Sequence, residues 1–181
     1  MLRYPVGVTS PILVRPADPD DLPALTAIYN HYIVNTTITF DVRPFEPEER
    51  RAWFDDHAAS GPHRLLVAAG ADGAVLGYTT TSRWRPKAAY DTTVESSVYC
   101  HPDAVGRGIG TRLYTALFEA IAGEDIHRIV AGVGQPNPAS VALHERCGFR
   151  RVGVFSSVGR KFGTYWDVAW FERPLKAGIN P

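Results

Sequence analysis

The sequence predicts a mixed α/β fold in which one central sheet is covered by helices on both faces. Short apolar runs typical of strands alternate with segments in which apolar residues recur every three or four positions, as on one face of a helix. The run at 128–133 is apolar almost throughout, which is typical of a strand buried on both faces. The chain has 181 residues and neither an internal repeat nor a linker, so we expect one domain over 1–181 with its core at about 12–175.

The elements follow from periodicity and from residues that start or stop helices. Glycines and prolines mark most boundaries: Gly123 and Gly148 are placed to end helices, and Asn137-Pro138 to start one. Helices are predicted over 22–33, 46–59, 111–122 and 137–147. Strands are predicted over 12–15, 64–69, 75–81, 93–101, 128–133, 151–158 and 165–173.

Composition excludes several functional classes. The chain has 19 basic and 19 acidic residues, so no net charge attracts it to nucleic acid or to an anionic membrane. Pro5 and Pro11 interrupt the apolar N-terminus, which predicts no signal peptide and a cytoplasmic protein. Cys100 and Cys147 are too few for a disulfide framework. The six histidines show no metal-ligand spacing, so we predict no metal site.

Three glycines at alternate positions, Gly106, Gly108 and Gly110, lie between an apolar strand and an amphipathic helix. A glycine turn that opens a helix exposes main-chain N–H groups to an anion. A dinucleotide fingerprint is excluded because Thr111 stands where its third glycine belongs, and a Walker A loop is excluded because no Lys-Ser/Thr follows. Two interpretations of the glycine turn remain: it binds the pyrophosphate of another cofactor, or it binds no ligand.

The residues around this turn resemble a known family. The run 105–110 resembles the acetyl-coenzyme A motif Q/R-x-x-G-x-G/A of the GNAT acetyltransferases, and 137–149 is similar to that family's N-x-x-A/S helix ending in Gly-Phe. The segments 28–33, 90–99 and 159–163 are similar to the phosphinothricin and methionine sulfone/sulfoximine N-acetyltransferases. Val105 departs from the motif, because the family's first residue there is Gln or Arg. This departure predicts weaker binding of acetyl-coenzyme A at most.

The resemblance implies a GNAT-like fold: a mixed, mostly antiparallel sheet that is splayed between its fourth and fifth strands. It implies an N-acetyltransferase that moves the acetyl group of acetyl-coenzyme A directly to the α-amine of a small amino-acid analogue, with no metal. It also implies a homodimer, which the aromatic residues of the last strands would support. Two alternatives remain: an enzyme that acetylates peptide or protein amines, and a non-catalytic module that binds acetyl-coenzyme A.

Two side chains are candidates for proton transfer. Glu95 lies in a mostly apolar strand, where a carboxylate is costly unless it is used or paired. It is either the base for the amine, directly or through water, or a structural carboxylate. His144 stands where the family often places a tyrosine near the thioester sulfur. It is an acid, a proton relay, or a half-buried structural histidine whose ring nitrogens are hydrogen-bonded within the fold.

The resemblance also assigns the binding residues. The main chain of Val98, Tyr99 and Cys100 is expected to pair with the pantetheine arm, and one of these amides to polarise the thioester carbonyl. The other expected cofactor contacts are Gly106, Arg107, Gly108, Ile109, Gly110, Thr111, Asn137 and Ser140.

The acceptor site is expected between two loops. Arg85 and Lys87 are candidates to bind the carboxylate of the acceptor. Trp84 and Tyr90 would form one wall and Phe40 the other. Each of these is otherwise an ordinary surface residue.

Overall fold

A computed structural model describes residues 12–175 of the chain. Its seven strands are β1 Leu13–Pro16, β2 Leu65–Ala69, β3 Val75–Arg83, β4 Thr93–Cys100, β5 Arg128–Gly134, β6 Arg150–Lys161 and β7 Thr164–Pro174. Its α-helices are α1 Leu22–Asn35, α2 Arg51–Asp55, α3 Ile109–Ala120 and α4 Pro138–Arg146.

The strands form one sheet in the order β1-β2-β3-β4-β5-β7-β6. All neighbouring strands are antiparallel except β4 and β5, which are parallel. The mixed, mostly antiparallel sheet predicted from the sequence is therefore confirmed.

Helices cover both faces of the sheet, as the sequence predicts. The residues of β2 alternate between the two faces: Leu65 and Val67 pack with α1 and α2, whereas Leu66 and Ala68 pack on the side of α3. We call the first side the α1 face and the second the α3 face. The α3 face carries the larger core, in which Tyr114, Leu117 and Ile121 are fully buried.

The second predicted helix, 46–59, is wrong in its length. The chain makes a 3-10 turn at Pro47–Arg50 and then only the five residues of α2. The His57 side chain explains the early end, because its Nδ1 bonds to the carbonyl oxygen of Trp53 at 2.7 Å. The main chain then turns away, with the Ala58 N–H donating to the carbonyl of His63.

The last two strands are longer than predicted and form one hairpin. The turn residues Phe162 and Gly163 both have positive φ angles, 51° and 76°. Strand β6 is the outer strand of the sheet and has twelve residues, nearly all of them exposed.

Candidate functional site

Strands β4 and β5 pair only over their first three residues. Glu95 opposite Val130 is the last pair, and beyond it the two strands separate. The His101 N–H donates to Leu76 on β3, and main-chain groups alternate in direction along a strand. Val98 and Cys100 therefore turn their main-chain groups to the open edge, whereas those of Tyr99 face β3. The predicted splay is confirmed.

The open edge forms one wall of a slot between β4 and β5, which we call the splay slot. Asn137 and Ser140 from the start of α4 line it, as do Tyr114, His144 and Ile38. The Asn137 side chain caps α4 by accepting the Ser140 N–H at 3.1 Å. Its amide nitrogen remains available to a ligand, so capping and ligand binding are compatible.

The glycine turn follows β4 and leads into α3, and its three glycines have two different roles. Gly106 and Gly108 have φ angles of +82° and +75°, which side chains other than glycine rarely adopt. Gly110 is needed for packing, since a Cβ there would lie 2.8 Å from the Leu143 side chain of α4.

Together these glycines let α3 begin sharply and pack closely on α4. The first N–H groups of α3 have no partner within the helix, so this end can hold an anion. The Val105 side chain, which departs from the family motif, is 61% exposed. Arg107 in the same turn is also exposed.

His144 is 3% exposed and both of its ring nitrogens are engaged. Its Nδ1 bonds to the carbonyl oxygen of Ser140 at 2.7 Å and must therefore carry the proton. The Tyr114 hydroxyl lies 2.9 Å from Nε2 and donates to it. Burial lowers the pKa of His144 although the bond to Ser140 opposes this, so the ring is neutral at pH 7.

Tyr114 is the residue that sequence reasoning missed in this slot. Its phenol is completely buried, and burial raises its pKa. The signal is a polar hydroxyl within the apolar face of α3, four residues after Gly110. This hydroxyl indicates a functional role only when it is paired with His144, which lies 30 residues later in the chain.

Glu95 lies on the α1 face, opposite to His144. Burial raises the pKa of its carboxyl group above the ordinary value. Its cavity, about 510 Å³, is also lined by Trp84 and Arg85. We call this the Glu95 cavity; the other lining residues lie on the last three strands of the sheet: Val130, Val152, Gly153, Phe155, Trp170, Phe171 and Glu172.

The predicted acceptor residues are only partly brought together. The Arg85 guanidinium stacks 4.6 Å from the Trp84 ring centroid, and Tyr90 packs edge-on against the same ring at 5.1 Å. Lys87 is exposed and lies outside the Glu95 cavity.

Phe40 also lies outside the Glu95 cavity, in the loop after α1. It packs on Gly159 of β6, where a Cβ would be 2.3 Å from its ring. The buried Lys161 ammonium holds the same loop by donating to the Thr39 carbonyl at 2.7 Å.

Within 12–175 no helix is long and apolar enough to cross a bilayer. The same residues contain no group of three or more His, Cys, Asp or Glu side chains placed to hold a metal ion.

Residues 25–149 match the model of the acetyltransferase (GNAT) family. The chain belongs to the GNAT acetyltransferase family. This confirms the family resemblance, and with it an N-acetyltransferase rather than a nucleotide-binding protein.

Two relatives within this family have named substrates. The chain is 56% identical over 168 residues to phosphinothricin N-acetyltransferase of Streptomyces coelicolor, covering 92% of this chain and 98% of the relative. It is 40% identical over 162 residues to L-methionine sulfoximine/L-methionine sulfone acetyltransferase of Pseudomonas aeruginosa, covering 90% and 94%.

A solved structure confirms the GNAT fold. A GNAT superfamily phosphinothricin acetyltransferase of Sinorhizobium meliloti, in complex with acetyl-coenzyme A, superimposes with a TM-score of 0.87. It is 32% identical, and the match covers 92% of this chain and 90% of that one.

Proposed function

We propose that this GNAT enzyme, as one catalytic domain, transfers the acetyl group of acetyl-coenzyme A to the α-amine of a small amino-acid analogue. Phosphinothricin, methionine sulfone and methionine sulfoximine are the acceptors we expect. The observation that carries the reaction is the place of Glu95, at the last residue pair before β4 and β5 separate. A carboxylate there lies beside the end of the splay slot and inside the cavity that holds Arg85 and Trp84.

Acetyl-coenzyme A fits the splay slot and the glycine turn. The pantetheine arm would pair with the open edge of β4 at Val98 and Cys100, and Asn137 would donate to it from the start of α4. The N-terminal end of α3, from Ile109 to Thr111, would hold the pyrophosphate, with Arg107 nearby. These main-chain contacts do not need the side chain that Val105 replaces.

The transfer needs three further steps from the protein. The ionised Glu95 carboxylate takes a proton from the ammonium group of the acceptor, so that the free amine can attack the thioester carbonyl. The Val98 N–H, directed to the open edge, donates to the developing oxyanion. Arg85 binds the acceptor's carboxylate and places the amine beside Glu95.

The proton for the departing thiolate is assigned to the His144–Tyr114 pair. With His144 neutral, the Tyr114 hydroxyl donates towards Nε2. With His144 protonated, Nε2–H donates to Tyr114 and the hydroxyl is free to donate to the sulfur. Because burial disfavours the protonated ring, the pair mainly orders the slot at pH 7. It relays a proton only from the protonated form of His144: Nε2–H passes its proton to Tyr114 as the Tyr114 hydroxyl proton passes to the thiolate, which leaves His144 neutral and Tyr114 as a phenol.

A homodimer is part of the proposal. The outer strand β6 exposes an apolar row, and Phe155 in that row is 55% exposed while it also lines the Glu95 cavity. Such an exposed row on an edge strand is typical of an interface. Sedimentation of the wild type should give a dimer, and Phe155→Glu should give a monomer.

A cytoplasmic location is also proposed, because Cys100 and Cys147 are both free thiols, as in proteins of reducing compartments. Fractionation of the source cells tests this location.

The experiment that tests the activity measures thiol release from acetyl-coenzyme A across a panel of acceptors. The panel contains phosphinothricin, methionine sulfone, methionine sulfoximine, ordinary amino acids, polyamines and short peptides. Release with the first three, and its loss in Glu95→Gln, supports both the acceptor class and the base. Release with peptides alone assigns a peptide acetyltransferase. Binding of acetyl-coenzyme A without release on any acceptor contradicts the proposal and favours a binding module.

A further inference from the structure

A second cavity, of about 260 Å³, lies on the α1 face next to Glu95. Ser82 and Ser97 form its edge towards Glu95: Ser82 is the cross-strand partner of Glu95, and Ser97 follows it by two residues on the same face. The cavity lies over β3 and β4, whereas the Glu95 cavity lies over β5, β7 and β6. Glu95 therefore stands between two cavities on one face of the sheet.

The walls of this second cavity are aromatic. Tyr29, Phe45, Trp53, Tyr78 and Tyr99 all line it. Such walls fit methylene and methyl groups, as in the side chain of a methionine-like amino acid.

Arg50 is the unusual residue of this cavity. It is only 6% exposed, and its guanidinium lies 3.8 Å from the ring centroid of Trp53 and 4.5 Å from that of Tyr29. It donates one hydrogen bond, to the carbonyl of Leu25 at 3.2 Å, and forms no salt bridge with any residue of 12–175. A guanidinium has five N–H donors, so donors remain for a ligand.

The two carboxylates in the same cavity are already engaged elsewhere. Asp41 accepts the Tyr29 hydroxyl, and Glu49 forms a two-pronged ion pair with Arg43. They do not neutralise Arg50, so its charge and its free N–H donors remain available to a ligand group that accepts hydrogen bonds.

Tyr78 supplies the second unusual group. Its side chain is 1% exposed, and its hydroxyl is buried beside Arg50. Arg50 can only donate to this hydroxyl, so the hydroxyl's own proton has no acceptor among residues 12–175. A buried hydroxyl without a partner is costly and requires an explanation. A ligand oxygen in the cavity would satisfy this hydroxyl and Arg50 together.

We propose that this Arg50–Tyr78 cavity receives the side chain of the acceptor, and that Arg50 and Tyr78 donate to its sulfonyl, sulfoximinyl or phosphinyl oxygen. This inference rests on the proposed function. The amine then lies at Glu95 and the α-carboxylate lies towards Arg85 on the other side. The two donors make the enzyme specific for side chains that end in an oxidised sulfur or phosphorus atom, because without such an oxygen they stay unpaired.

The test compares methionine sulfone with norleucine, which keeps the α-amine and the carboxylate but lacks the oxygens. We expect Tyr78→Phe to lower kcat/KM for the sulfone about 5- to 20-fold, the usual effect of one lost hydrogen bond in a polar site, and to change norleucine less than about 2-fold. The melting temperature should not fall, because the substitution removes only an unpaired hydroxyl. Arg50→Lys should show the same selective loss, since lysine keeps the charge but not the planar set of donors.

Tyr165→Phe, which removes an exposed hydroxyl on β7, and Arg51→Lys, which changes the half-buried neighbour of Arg50, are the matched controls. Both should leave the ratio of the two substrates unchanged. If Tyr78→Phe and Arg50→Lys lower kcat/KM equally for methionine sulfone and norleucine, the inference is overturned. Arg50 would then have only a structural role, as a link between α1 and α2. Unchanged sulfone kinetics in Tyr78→Phe would also overturn it.

The wild type separates this inference from the proposed function. A wild type that acetylates neither substrate refutes the proposed function and this inference with it. A wild type that acetylates both equally well supports the proposed function and overturns only the inference.

Discussion

The cofactor half and the acceptor half that we propose for this enzyme are built in different ways. The cofactor half uses main-chain groups and glycines from a continuous stretch, β4 to α4, within residues 93–146. The acceptor half collects side chains from α1, the α1–α2 loop, β3 and the last three strands of the sheet. The first is held together by local backbone geometry and the second by tertiary packing, so substitutions should affect the two halves differently.

The largest expected effect comes from Glu95, where the two halves meet. Glu95→Gln keeps the shape of the side chain and removes the base, so kcat should fall about 10²- to 10⁴-fold. The affinity for acetyl-coenzyme A, measured by calorimetry, should be unchanged. Glu119→Gln, at an exposed position of α3, is the control and should retain full activity. A variant with more than half of the wild-type kcat would show that another group removes the proton.

For Glu95 we also expect two pH effects, one on kcat/KM and one on stability, and the direction of each follows from its raised pKa. Because burial raises its pKa and the base must be ionised, kcat/KM should fall as the pH is lowered through that raised pKa. For stability the sign is opposite: the folded protein holds this proton more tightly than the unfolded chain, so folding loses stability as the pH rises between the two pKa values. Thermal unfolding of Glu95→Gln should therefore show a gain over the wild type at pH 8 that disappears at pH 4.

A proline at position 98 should break the cofactor half alone. Val98→Pro removes the N–H that faces the open edge of β4, and proline is tolerated where an N–H has no strand partner. The dissociation constant of acetyl-coenzyme A should rise about 10-fold, as one hydrogen bond is lost, and kcat should fall as well, because the same N–H is proposed to hold the oxyanion. Val98→Ala, which keeps the N–H, should bind nearly normally. An equal loss of affinity in the alanine variant would mean that the side chain is what the cofactor contacts.

A single methyl group should disturb the acceptor half alone. Gly159→Ala would place a Cβ against the Phe40 ring and push the α1–α2 loop outward, at a cost of about 1 kcal/mol. The KM for the acceptor should rise ~5-fold, which is that energy expressed as a ratio, while the KM for acetyl-coenzyme A stays the same. Gly123→Ala, which has no neighbour within 4 Å of its Cβ and lines neither acceptor cavity, is the control. A shared rise in both KM values would contradict the independence of the two halves.

The smallest expected effect is on stability. Gly106→Ala forces a side chain into a positive φ and should lower the free energy of unfolding by about 1 kcal/mol. Gly123→Ala, where φ is ordinary and the space is open, should cost no stability. Urea titration of the two variants measures the difference, and equal stabilities would mean that the turn relaxes around the new side chain.

The fold and the local backbone around the proposed cofactor site were largely predictable, because most of their signals are local. Gly106, Gly108 and the Asn137-Pro138 cap each act on the backbone beside them, so their neighbours in sequence are their neighbours in space. Gly110 is the exception, because it packs on Leu143 of α4. The second helix was wrong because a side-chain bond from His57 ended it early, and propensity does not contain such a bond.

The acceptor half was predictable only in part, for a physical reason. Glu95, Trp84 and Arg85 were predicted and are brought together, but Lys87 and Phe40 lie outside their cavity. Arg50 and Tyr78 lie in different elements, 28 residues apart in the numbering of the chain, and each is ordinary for its own element. Only the packing of the 3-10 turn Pro47–Arg50 beside β3 makes them a pair.

The open edge of β4 has a consequence for how this enzyme can change over generations. A side-chain substitution cannot delete a peptide N–H or C=O; only a proline removes the N–H. The main-chain part of the proposed grip on the acetyl donor therefore withstands most missense changes outside its glycines, while each proposed contact to the acceptor is a side chain that one codon can replace. New acceptor preferences can arise on this chain without loss of its acetyl donor.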